Sequence, residues 1–293
     1  MFKGSIPALI TPMRDDGSID LAGWDRLLDF HLAEGSDGVV VGGTTGESPT
    51  ITGEELASLI ARTRTRLAGR LPLIAGSGGN STSHSVALSR AAVEAGADAL
   101  LVVTPYYNRP TQEGLYRHFV AIADAAGAPV VLYNVPSRTS CDLLPETVAR
   151  LAEHPRIVGI KEATGDVARG EAVRRLCPDG FLLLSGDDPT AVALMRIGAR
   201  GVISVTANVV PRAMHDVFAA ALAGRFDEAQ ALDGRIAPLH QALFVEPNPI
   251  PVKWAVQRMG LIEGGIRLPL TPLSASRHGD VEKAMREAGV ALP

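Results

Sequence analysis

The chain has 293 residues, 46% of them hydrophobic, a formal net charge of −4 and a pI near 6.0. That length allows one large domain or two ordinary ones, and the acid-leaning balance argues against a nucleic-acid surface. No apolar run approaches the roughly 18 residues of a membrane span, so small molecules or other proteins are the expected partners.

The N-terminus, "MFKGSIPALITPMRDDG", carries one lysine and then a short apolar stretch broken by Pro7 and Pro12. It lacks the apolar core and cleavage site of a secretory leader, so it reads as a first strand and the protein as cytoplasmic. Short apolar runs then recur: "SIPALI" (5–10), "DGVVVGG" (37–43), "LPLIAGS" (71–77), "ALLVVTP" (99–105), "PVVLYNV" (129–135), "IVGIKEA" (157–163), "FLLLSG" (181–186) and "GVISVT" (201–206). They are nearly continuous rather than alternating, the pattern of strands buried on both faces. Amphipathic stretches of helix length lie between them. "DLAGWDRLLDFHLAEG" places Leu21, Trp24, Leu28, His31 and Leu32 on one side, with Gly35 as C-cap. Thr52 and Glu55 form a capping box, Asn80 or Ser81 caps the next helix, and Asp188 followed by Pro189 reads as an N-cap with proline at the first helical position.

Eight strand–helix units predict an α/β fold of the (β/α)₈ TIM-barrel type. The barrel is expected to occupy residues 1–224. Residues 225–293 show helical pattern only, with Ala229, Leu232, Ile236, Leu239 and Leu243 at spacings of three and four, Pro238 placed to kink that helix, and further helices near 249–259 and 278–289. This part reads as an all-helical appendage packed on the barrel. Cys141 and Cys177 are the only cysteines and form no metal-binding pattern, which suggests a reducing compartment, no structural zinc, and two small buried side chains.

In such a barrel the chemistry sits at the C-terminal ends of the strands. Those ends carry Thr44 and Thr45 after strand two, Tyr106 and Tyr107 after strand four, Tyr133 and then Arg138 after strand five, Lys161 at the end of strand six, "SGDD" after strand seven and Ile203 on strand eight. Three of the chain's four tyrosines are in this set. Lys161 ends an apolar strand. Only a neutral amine attacks a carbonyl, and desolvation disfavours the ammonium, so a lysine placed there suits Schiff-base chemistry; a lysine snorkelling from a strand end is the plainer alternative. Alternation puts Ile157, Gly159 and Lys161 on one face, with Gly159 leaving room below the lysine, and sends Glu162 to the other face. Tyr133 is either a proton carrier beside the amine or a core tyrosine. "GGTTGE" (42–47) can present backbone N–H groups to an anion, yet neither it nor "GSGGNSTSH" has the lysine or spacing of a nucleotide loop. Arg138 is either a carboxylate clamp or a solvated arginine. Asp187 and Asp188 read as helix-capping residues rather than metal ligands.

Taken in order, "GTTGE" (43–47), "TPYYNRP" (104–110), "YNVPSRT" (133–139), "GIKEATG" (159–165), "LLSGDD" (183–188), "GVISVT" (201–206) and "EPNPIPVKW" (246–254) closely resemble the dihydrodipicolinate synthase family over essentially the whole chain. The resemblance implies a Schiff-base lyase that condenses pyruvate with L-aspartate 4-semialdehyde in the diaminopimelate route to lysine, without metal or organic cofactor. It gives Lys161 the imine, and Thr44, Tyr133 and Tyr107 a proton relay, with Tyr107 reaching in from a neighbouring subunit. It assigns Thr45 to the pyruvate carboxylate, Arg138 to the semialdehyde carboxylate, Ile203 to a carbonyl beside the lysine, and Gly186 to the substrate pocket. A homotetramer built from tight dimers is implied, with no nucleic acid and no membrane. Ser48, Asn80 and Tyr106 match the family's lysine-effector site, whereas Leu56 and His84 replace the histidine and glutamate usual in sensitive relatives, so feedback by lysine is expected to be weak or absent. The same scaffold serves N-acetylneuraminate lyases and 2-keto-3-deoxy-sugar aldolases, from which Arg138 separates this sequence. A non-catalytic carboxylate-binding homologue would be expected to have lost part of the Lys161, Tyr133, Thr44 and Tyr107 set.

Overall fold

The computed structural model describes residues 2–292. Eight strands, β1 (Gly4–Pro7), β2 (Val39–Val41), β3 (Leu73–Gly76), β4 (Ala99–Val103), β5 (Val130–Asn134), β6 (Ile157–Glu162), β7 (Leu182–Ser185) and β8 (Gly201–Ser204), form one parallel sheet in the order β1-β8-β7-β6-β5-β4-β3-β2. A parallel bridge between Ala8 and Val40 brings the two ends together, with the Leu9 N–H donating to the Val40 carbonyl at 2.9 Å. All eight apolar runs are therefore strands. The helices that follow are α1 (Leu21–Glu34), α2 (Gly53–Leu67), α3 (Thr82–Glu94), α4 (Gln112–Ala126), α5 (Pro136–Thr139), α6 (Pro145–Ala152), α7 (Val167–Leu176), α8 (Ala191–Arg196) and α9 (Pro211–Leu222). Beyond them lie α10 (Phe226–Ala242), α11 (Ile250–Arg258) and α12 (His278–Glu287).

Two apolar layers hold this arrangement. The barrel interior is filled by Ile6, Val40, Ile74, Leu101, Val131, Tyr133, Leu184 and Ile203. The outward side chains of the same strands pack on the helices in a second, larger core. Both faces of each strand are buried, which is why the runs lack alternation. The Thr52–Glu55 capping box opens α2, Ser81 caps α3, and Gly35 closes α1 in the left-handed conformation. Such caps contribute on the order of 1 kcal/mol each.

Three local expectations need correction. On α1 the buried stripe runs through Gly23, Trp24, Leu27, Leu28 and His31, while Leu21 is exposed. The helix after β7 begins at Ala191 rather than at Pro189, because Asp187 accepts from the Thr190 N–H while Asp188 turns away to accept the N–H groups of Val205 and Thr206 at 3.0 and 2.9 Å. Asp188 thus pins the end of β8 instead of capping a helix. Pro238 lies inside α10. In β6 the register shifts against β5, with Val130 opposite Ile157 but Val131 opposite Gly159. The extra residue breaks the alternation, so Ile157 joins the outer core while Gly159 and Lys161 stay level with inward Val131 and Tyr133.

Candidate active site

Lys161 stands level with Tyr133 of β5 and Leu184 of β7, and both of those line the barrel interior. Only 5% of its surface is exposed. Its Nζ lies 4.4 Å from the centroid of the Tyr133 ring and makes no hydrogen bond or ion pair among the described residues. The aromatic face attracts a cation weakly, and the amine is left free to act as a nucleophile. Space for the lysine stem comes from Gly186 rather than Gly159. A Cβ at Gly186 would sit 2.8 Å from Lys161 Cε and 3.0 Å from its Cγ, whereas one at Gly159 would strike the Cβ and carbonyl oxygen of Leu182, both at 2.6 Å. Gly159 lets β6 and β7 approach; Gly186 lets the lysine lie flat.

Glu162 turns away from the barrel interior as alternation requires, yet it is buried, not solvated. Burial pushes its carboxyl above the ordinary carboxylate range, opposed by the Thr164 N–H at 2.9 Å and the Asn134 Nδ2 at 3.2 Å. It serves the β5–β6 junction and is no counter-ion for Lys161.

Tyr133 is buried and also lines a small cavity of about 30 Å³ shared with Gly42, Thr44, Ser77 and Leu101. It therefore faces the Lys161 amine and shares a cavity with Thr44. The Thr44 side chain, on the tight turn Thr44–Gly46 after β2, is half-buried with its hydroxyl unengaged among the described residues. Thr45 is buried, and its Oγ1 accepts from Asn248 Nδ2 at 3.1 Å. Arg138 projects from α5 at the rim, exposed, and donates to the backbone carbonyl of Asn248 at 3.3 Å. Ile203 belongs to the barrel-interior cluster that includes Tyr133 and Leu184. Tyr107 does not join the group: it is 90% exposed on the loop after β4, with φ of 74°. Within one subunit its phenol faces outward.

Ser48, Leu56, His84 and Tyr106 line one cavity of about 180 Å³, and Asn80 is not in its lining. Its wall is otherwise apolar or glycine, and it contains neither aspartate nor glutamate.

Sequence reasoning missed two contributors. Asn248 ties Thr45 and Arg138 to the C-terminal part of the chain. Glu47, the last residue of "GTTGE", is buried with φ of 59° and forms an ion pair with Lys253 of α11, which is equally buried. The signals were present in "EPNPIPVKW": a polar residue between prolines, and a lysine inside the apolar run "IPVKWAV".

A buried lysine amine inside the C-terminal mouth of a (β/α)₈ barrel, with a phenol against it, is the arrangement of a class, the Schiff-base-forming lyases. Within that class the chain belongs to the dihydrodipicolinate synthetase family, whose sequence model matches residues 1–288. It is 57% identical over 290 residues to the 4-hydroxy-tetrahydrodipicolinate synthase of Aromatoleum aromaticum, covering 99% of both chains. The fold matches the chloride-inhibited dihydrodipicolinate synthase of Acinetobacter baumannii complexed with pyruvate, with a TM-score of 0.98 and 49% identity over 99% of this chain and 100% of that one. It likewise matches a monomeric dihydrodipicolinate synthase variant, with a TM-score of 0.97 and 40% identity over 99% of this chain and 98% of the other.

Proposed function

We propose that the chain performs the 4-hydroxy-tetrahydrodipicolinate synthase reaction, condensing pyruvate with L-aspartate 4-semialdehyde on Lys161. The observation that carries this is the uncommitted Lys161 amine lying 4.4 Å from the Tyr133 ring. The amine adds to C2 of pyruvate and water leaves, giving an imine. Loss of a proton from C3 gives the enamine, whose C3 attacks the aldehyde carbon and forms the new C–C bond. The amino group of the condensed product then attacks the imine carbon, closes the ring and releases Lys161. The imine itself is the electron sink, so the chemistry calls for no organic cofactor.

Each step moves a proton, and Tyr133 and Thr44, which share one cavity, are suited to carry it. Tyr107 of the partner subunit completes the relay. Its near-total exposure in one subunit supports that role, and with it a tight dimer assembled into a homotetramer. Thr45 and the Thr44–Thr45 backbone hold the pyruvate carboxylate, the Ile203 carbonyl lies beside the lysine, Gly186 shapes the pocket floor, and Arg138 receives the semialdehyde carboxylate. On this reading the reaction runs in the cytoplasm. No helix among the described residues is long and apolar enough to cross a membrane.

Borohydride reduction in the presence of pyruvate, followed by peptide mapping, tests the assignment: a pyruvyl adduct on Lys161 is expected, and its absence would overturn the mechanism. Turnover of aspartate semialdehyde should exceed that of N-acetylmannosamine or glyceraldehyde as acceptor; equal turnover would favour a sugar lyase. The cavity containing Leu56 and His84 has no carboxylate to meet an ammonium, so lysine is not an effective inhibitor. Half-inhibition below about 1 mM, an affinity near −4.1 kcal/mol, would contradict this.

A further inference from the structure

Asn248 makes two contacts to the site, by two different groups. Its side-chain Nδ2 donates to Thr45 Oγ1 at 3.1 Å, and its backbone carbonyl accepts from Arg138 at 3.3 Å. The residue is 5% exposed, and its Oδ1 is buried without a partner. A threonine hydroxyl has one proton to donate and two lone pairs that accept. With the amide N–H occupying a lone pair, and with no acceptor among the described residues taking the Thr45 proton, that proton is free to be donated elsewhere.

We infer that Asn248 is a positioning residue that sets the polarity of Thr45, turning its hydroxyl into a donor for the carboxylate of the first substrate. The inference rests on the proposed role of Thr45 in holding pyruvate. It also separates the two substrates. Replacing the side chain removes the hold on Thr45, whereas the carbonyl that receives Arg138 belongs to the backbone and survives any such replacement. Aspartate is the sharpest replacement: it has the same shape, but as a carboxylate it only accepts, so it would claim the Thr45 proton and present lone pairs to an anionic substrate.

The test is steady-state kinetics on the full-length enzyme carrying Asn248→Ala or Asn248→Asp, with the pyruvate dependence of borohydride trapping measured beside it. For Asn248→Ala, KM for pyruvate should rise about tenfold, the worth of one ordinary hydrogen bond, and for Asn248→Asp about 100-fold. KM for the aldehyde substrate should stay within about twofold of wild type, and half-saturation for trapping should shift with KM for pyruvate. Adding Asn248→Ala to Thr45→Val should raise KM for pyruvate no further, since the two act through one hydroxyl. Should the aspartate variant fail to fold, the alanine variant and the double mutant decide. Wild type that traps no pyruvate would remove the proposed function itself. Wild type that traps, with folded variants of unchanged half-saturation, or variants in which both KM values rise together, would overturn this inference alone.

Discussion

Lys161 and Lys253 are buried to nearly the same degree, 5% and 3% exposed, in the same molecule. Lys253 lies on α11 against the Glu47 carboxylate, which also accepts the Arg267 N–H at 3.1 Å. Burial still pushes the Lys253 ammonium below its ordinary pKa, with Glu47 working against that shift. Among the described residues Lys161 meets no carboxylate, only an aromatic face. The difference teaches how to read a buried cation. A paired one fastens two segments, here the turn after β2 and the C-terminal helices. An unpaired one is free for chemistry.

One substitution applied at both positions should give crossed outcomes. Lys161→Met should lower kcat by roughly 10⁴-fold or more, since the covalent route is lost. It should leave the unfolding free energy from urea titration within about 1 kcal/mol of wild type or above it, because an apolar side chain replaces an unpaired cation. Lys253→Met should do the reverse: about 3–5 kcal/mol of stability is lost because Glu47 stays buried without its partner, while the folded fraction still traps pyruvate on Lys161. The double variant Glu47→Gln/Lys253→Met should recover part of that loss. Equal stability losses at the two lysines would break the comparison.

Histidines show a third way of burying a base. Desolvation lowers His31 to about 3 and His118 to about 4, and each has a ring nitrogen with no partner, His31 Nε2 and His118 Nε2. Both are held neutral. The unfolded chain protonates them near the ordinary value of 6.5, so below that pH the unfolded state binds more protons and stability falls as pH falls. At pH 5 neither is protonated in the folded state, so each removes about 2 kcal/mol relative to pH 7. His240 acts oppositely: although burial lowers its pKa, Asp233 at 3.1 Å and the nearby Asp187 and Asp188 raise it overall, so it contributes stability below its unfolded pKa that is lost as pH rises. Urea titrations of wild type and His31→Leu at pH 7 and pH 5 isolate the first effect. The variant should lose about 2 kcal/mol less between those values; an unchanged difference would show that His31 is not held neutral.

The barrel was readable because its strands are buried on both faces, so the apolar runs are uninterrupted and all eight could be placed. Lys161 stood out for the same reason, as a charged side chain ending such a run. What escaped depends on contacts far apart in sequence. The displaced register of Ile157 is set by how β5 and β6 pair, and no property of "RIVGIKE" announces an extra residue. Asp188 looked like a cap because Asp-Pro commonly precedes helices, yet its partners are 17 and 18 residues away. Asn248 and Lys253 meet residues 203 and 206 positions earlier, so a linear reading could see only that polar groups stood in an apolar context.

Gly186 gives the smallest effect and the finest test of the comparison. Lys161 has no polar group to fix its head, so its stem must be held by packing alone. That packing is the gap at Gly186, where an added Cβ would come within 2.8 Å of Lys161 Cε and 2.5 Å of Ala163 Cβ. The flexible stem can rotate away, but the Ala163 Cβ moves only with its backbone, so Gly186→Ala should displace the lysine and also cost some stability. The amine would then leave its place over the Tyr133 ring, and kcat/KM should fall about tenfold, as misplacing a reacting group by a fraction of an ångström does. The rate of imine formation under borohydride should fall in step, with about 1–3 kcal/mol of stability lost to the Ala163 contact. Lys253, anchored by Glu47, offers no such vulnerability. If Gly186→Ala left trapping unaffected, the position of the Lys161 amine would have to be fixed by something other than the shape of its pocket.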